Sequence, residues 1–97
     1  MKKGYWVVQY RDDSDVKSIN AYGEIAVPLV KAVDGKILLG DLPSEVIEAG
    51  EMKRTVVVEF PSLRIAVQLR HSNEYAKAFE ALGPSPIRDF RILEGLD

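Results

Sequence analysis

Tyr5-Trp6-Val7-Val8-Gln9-Tyr10 is aromatic and β-branched, broken by a single polar position, and it predicts a strand. Asp12-Asp13-Ser14-Asp15 follows with turn and cap chemistry. An aspartate there can accept from the free N–H groups of a first helical turn. From Val16 the apolar positions fall at Ile19, Tyr22, Ile25, Ala26, Leu29, Val30 and Val33, steps of three and four that predict a helix with a broad apolar face. Pro28 inside it removes one backbone bond and predicts a kink. Asp34-Gly35 stops the helix, with Gly35 expected to take positive φ.

The period then returns to that of a strand. Lys36–Gly40 is the second strand, followed by a long connection over 41–54 with a short extra strand expected at Glu45–Glu48. Arg54–Phe60, with its run Thr55-Val56-Val57-Val58, is the clearest strand in the chain. Pro61-Ser62 ends it and caps a helix from Leu63 to about Arg70. Ser72 is a second N-cap, Glu74 suits the first turn, and Ala76, Phe79, Ala81 and Leu82 carry the helical pattern to Gly83-Pro84-Ser85-Pro86. Arg88–Glu94 is the last strand.

This βαββαβ order predicts an α+β, ferredoxin-like sandwich over residues 1–97 as one domain, with the first and third strands central and the helices on one face. Alternation then sorts the side chains. Trp6, Val8, Tyr10, Val56, Val58, Phe60, Phe90 and Ile92 share one almost wholly apolar parity, the helix-covered face. The other parity mixes Tyr5, Val7, Val57 and Leu93 with Gln9, Thr55, Glu59, Asp89 and Arg91. Monomers usually avoid such an exposed apolar patch, so a homodimer is expected, its two open sheet faces packed together.

Composition narrows the partners. Hydrophobic residues make up 46% of the 97, which excludes intrinsic disorder. A net charge of −2 gives no basic footprint, and the sheet lacks the aromatic-and-basic signature of RNA-binding sandwiches, so no nucleic-acid partner is expected. No apolar run approaches the roughly 18 residues of a membrane helix. Without cysteine there is no disulfide scaffold, and the basic start Met1-Lys2-Lys3 lacks a cleavage site, so a cytoplasmic location is expected. With one histidine and no phosphate-cradling loop, no metal and no cofactor are expected.

Few groups carry chemistry. His71 is an acid–base candidate set against a plain helix-end cation. Glu59, on a central strand among apolar neighbours, is a base candidate set against a structural partner for Arg54, Arg91 or backbone donors. Trp6, Tyr10, Tyr22 and Tyr75 can wall a cleft for a planar apolar ligand or simply fill the core. Arg88-Asp89, at the start of the last strand, can hold an anion but reads more simply as a local ion pair. Two functions follow from different classes: a dimeric binder of a small apolar or aromatic molecule between sheet and helices, or a weak cofactor-free enzyme acting on it, and a non-catalytic self-association module.

Several stretches resemble one family. They are Gly4-Tyr5-Trp6, the spacing from Asp15 through Ile19 to Tyr22, Arg54-Thr55-Val56-Val57-Val58-Glu59-Phe60-Pro61-Ser62, Ser72-Asn73-Glu74-Tyr75, and Glu94-Gly95. Together they resemble the domain-of-unknown-function family 1330, over nearly the whole chain. The resemblance implies a ferredoxin-like fold assembled as a dimeric α+β barrel and assigns no reaction. With the reading of the residues, it directs attention to Tyr22, Trp6, Tyr75 and Arg54 as ligand-binding positions.

Overall fold

The computed structural model describes all 97 residues, Met1–Asp97. In chain order the elements are β1 (Gly4–Tyr10), α1 (Val16–Ala32), β2 (Lys36–Asp41), β3 (Thr55–Phe60), α2 (Leu63–Arg70), α3 (Asn73–Leu82) and β4 (Arg88–Glu94). The strands form one antiparallel sheet in the order β2-β3-β1-β4, so β1 and β3 are central as expected. The molecule measures 34 × 31 × 16 Å. Its thin dimension holds one helical layer on one sheet, and the other face of the sheet is uncovered.

Local chemistry sets the helix starts. Asp15 caps α1 by accepting from the Ser18 amide at 3.1 Å. Ser62 does the same for α2 through the Ile65 amide at 3.3 Å, and Ser72 for α3 through the Tyr75 amide at 3.1 Å. Each such cap is worth about 1 kcal/mol. The second helical region is thus two helices meeting at His71-Ser72. Gly4 is required for a different reason: a Cβ there would lie 2.5 Å from the Ser62 carbonyl oxygen, where β1 passes under the start of α2.

Two expectations change, at the end of α1 and in the connection after β2. α1 runs from Val16 to Ala32 with Pro28 inside it. At its end Asp34, not Gly35, takes the left-handed backbone, with φ of 61°. Gly35 is needed instead because its amide donates to the Val30 carbonyl at 2.9 Å, so close that a Cβ would sit 2.6 Å from the Val30 side chain. No strand forms at Glu45–Glu48. That stretch is non-regular, Glu48 has φ of 53°, and the Gly50 amide turns back to the Ile47 carbonyl.

The side-chain parities hold. Trp6, Val8, Tyr10, Val58 and Phe60 are buried under the helices together with Ile19, Val30, Ala66, Leu69, Tyr75 and Leu82. The Trp6 ring meets Phe60, Phe90 and Tyr75 at centroid distances of 4.7, 5.2 and 5.5 Å. Its indole N–H donates to the Ala66 carbonyl at 2.9 Å, so burial leaves no orphan donor. On the uncovered face the register aligns Leu39, Val57 and Val7 across three strands, with Arg91 next on β4. Lys36, Glu59, Tyr5 and Leu93 form the adjoining row.

Candidate functional site

Helix α1 leaves a gap over one half of the sheet. It packs against α3 and reaches β2, and the space beneath it is a cavity of about 280 Å³. Its floor comes from the helix-side parity: Trp6, Val8 and Tyr10 on β1, Val56 and Val58 on β3, and Ile37 and Gly40 on β2. Its roof is one face of α1, including Ile19, Tyr22, Gly23 and Ala26. A Cβ built on Gly23 meets nothing within 4 Å, so that helical position opens directly on the void. Most of the lining is apolar, and the polar side chains are Asn20, Arg54 and Arg88, with the phenols of Tyr10 and Tyr22. This composition suits small-molecule recognition: apolar walls supply burial and a few polar groups fix orientation.

The polar end is built on Arg88. It is the partner of Tyr10 in the β1–β4 register and shares the parity of Phe90, so its side chain runs under the helices. Its guanidinium lies 4.7 Å from the Tyr22 ring centroid, 5.2 Å from that of Phe90 and 5.7 Å from that of Tyr10. Nη2 donates to the Tyr75 hydroxyl at 3.1 Å. Tyr75 and Tyr22 share a hydroxyl–hydroxyl hydrogen bond of 2.6 Å, with the rings edge-on at 5.9 Å. Arg70 stacks on the Tyr75 ring at 4.5 Å. Burial pushes the Tyr22 phenol well above its ordinary range, and the neighbouring Tyr75 oxygen adds to the shift. Burial raises the Tyr10 phenol as well, partly offset by the Arg88 charge.

Of the positions singled out in the sequence, Trp6, Tyr22 and Arg54 line the cavity, and Tyr75 stands behind it, bonded to both Tyr22 and Arg88. His71 is exposed at the end of α2 and is not part of the lining. Glu59 lies on the opposite face of the sheet, where its carboxylate accepts from the Tyr5 hydroxyl at 2.9 Å. The expected Arg88–Asp89 ion pair does not form. Asp89 points to the other face and binds Arg91 at 2.9 Å and Arg11 at 3.3 Å. The sequence did hold a signal for Arg88, since it falls two residues before Phe90 on the covered parity.

Four antiparallel strands with helices on one side define a ferredoxin-like α+β fold, and the comparisons agree. A protein of unknown function from Rhodopseudomonas palustris superposes with a TM-score of 0.71 at 16% identity, covering 99% of this chain and 84% of its own. A dimeric protein of unknown function and ferredoxin-like fold from Bacteroides fragilis gives 0.58 at 19% identity, covering 95% of each chain. A Caulobacter crescentus protein provisionally described as an antibiotic biosynthesis monooxygenase gives 0.56 at 15% identity, covering 99% of this chain and 91% of its own. The chain belongs to the family called domain of unknown function DUF1330, whose pattern matches residues 3–96. No protein of curated function matches it. No helix is long and apolar enough to cross a membrane.

Proposed function

We propose that this protein binds a small, planar, largely apolar molecule between α1 and the sheet, and that it works as a homodimer joined through the open sheet face. The cavity carries the first part. About 280 Å³ of void lies under α1, walled by Trp6, Tyr10 and Tyr22 and opened by the bare backbone of Gly23. Its lining holds neither carboxylate nor imidazole, so the arrangement supports binding and orientation rather than proton transfer by His71 or Glu59. The row Leu39-Val57-Val7 and the half-exposed Leu93 support the second part. A second copy would cover this row, with Lys36, Glu59 and Arg91 around it, and the Bacteroides fragilis neighbour is described as dimeric.

Titration of the isotope-labelled protein with 2-naphthol tests the cavity, read at the Gly23 amide and the Trp6 indole. Saturable shifts at both positions are the expected result. If both stay fixed while the protein is folded, the self-association reading takes over. Light scattering tests the assembly: the expected species is a dimer that Val57→Glu converts to a monomer, and a monomeric parent protein refutes the dimer.

A further inference from the structure

The cavity carries uncompensated positive charge. Arg54 and Arg88 both line it and flank Tyr10: Arg88 is its register partner on β4, and the Tyr10 amide donates to the Arg54 carbonyl at 2.9 Å. With strands about 4.8 Å apart, the two backbones stand about 10 Å from each other across β1. The ion pairs of the chain involve Arg11, Lys53 and Arg91, and neither Arg54 nor Arg88 takes part. The carboxylates nearest in sequence are committed elsewhere. Asp13 accepts from the Arg54 backbone amide and pairs with Lys53, and Asp89 is held by Arg91 and Arg11 on the other face.

Arg88 also has donors to spare. A guanidinium offers five N–H groups; here one bond runs to Tyr75, and the Tyr22 and Tyr10 hydroxyls are its other side-chain partners. No buried side-chain nitrogen or oxygen in the protein lacks a partner, so the remaining Arg88 donors have solvent access, and the cavity is the space this side chain lines. Tyr22 adds a hydroxyl at the same end. It shares a hydrogen bond with the Tyr75 hydroxyl in which either oxygen can be the donor, and Tyr75 also accepts from Arg88. Burial keeps that phenol protonated.

A cation among apolar walls without a counter-ion is costly, and a ligand that supplies the anion gains charge-assisted bonds in low dielectric. We infer that the cavity takes a planar aromatic carboxylate, its anionic group held between Arg88 and Arg54 and its rings lying on Trp6, Val8 and Val56. The inference rests on the cavity being the ligand site proposed above, and it adds the charge and class of the ligand.

Calorimetric titration with 2-naphthoate and its neutral isostere 2-naphthamide separates the two claims. The carboxylate is expected to bind about tenfold or more tightly than the amide, and more weakly as salt is raised. Arg54→Gln is expected to cut the naphthoate affinity several-fold and to lower the naphthamide affinity by a smaller factor, since the amide carbonyl accepts a hydrogen bond but carries no charge. Arg88→Gln, checked by circular dichroism, is expected to cut it further; if that variant does not fold, Arg54→Gln decides alone. Equal affinities for the two probes, or a naphthoate affinity untouched by Arg54→Gln, would overturn the inference and leave the cavity reading standing. Binding of neither probe to the parent protein overturns both.

Discussion

Replacing Gly23 tests the void under α1 from the side of stability. Glycine in a helix interior costs about 1 kcal/mol relative to alanine, because it gives up more backbone freedom on folding. That gain is normally lost where a methyl group would collide. Here a Cβ meets nothing within 4 Å, so Gly23→Ala is expected to stabilise the protein by about 1 kcal/mol. For a domain of this size such a change raises the melting temperature by about 4–8 °C. Scanning calorimetry at one fixed protein concentration gives the value, since self-association makes the midpoint concentration-dependent. Gly23→Leu extends the test: it should fold and abolish binding of the naphthalene probes by occupying their space. Loss of 1 kcal/mol or more in Gly23→Ala would mean that the position is filled in solution, and the cavity argument would fail with it.

Three further outcomes follow from individual contacts. Trp6→Phe leaves the Ala66 carbonyl without its indole donor and thins the core, so denaturant unfolding should show a loss of about 1–3 kcal/mol. Ser72→Ala removes the acceptor for the Tyr75 amide and should cost about 1 kcal/mol by the same measurement, additive with Asp15→Ala at the distant start of α1. The Tyr10 and Tyr22 phenols are raised by burial above their ordinary 10.0, so their contribution to stability is complete below pH 10 and is lost as pH climbs through the folded values. Circular dichroism with phenolate absorbance should therefore show alkaline unfolding coincident with late tyrosine ionisation; Tyr10 and Tyr22, followed individually by NMR, titrating at 10 in a folded protein would contradict this.

Much of the architecture was legible because it depends on local rules. The helix starts followed from Asp15, Ser62 and Ser72, and the covered face from the alternation of Trp6, Val8 and Tyr10. What failed depended on distance. Val46 and Ile47 have strand-forming side chains, but no neighbouring strand pairs with them and Glu48 turns the chain away. Asp34 and Gly35 exchanged expected roles because the crowding comes from Val30, one helical turn back. His71 and Glu59 drew attention by chemical type and lie away from the cavity, whose existence is a matter of how far α1 stands off β2 and β3. No residue spacing encodes that separation. Arg88 was hidden by its neighbour: a basic–acidic pair in sequence reads as a pair in space, whereas adjacent strand residues point to opposite faces.

The irregular step on β2 has a consequence for solubility. Pairing to β3 shifts between Ile37 and Leu39, and both of these side chains and Leu38 are exposed. A straight outer strand this rich in leucine and isoleucine would offer its free amides and carbonyls as a template for endless stacking of chains. The extra residue puts that row of groups out of step, so an incoming strand cannot dock along its full length. Deleting Leu38 to restore an even ladder would thus be expected to yield fibrous aggregates rather than a sturdier sheet.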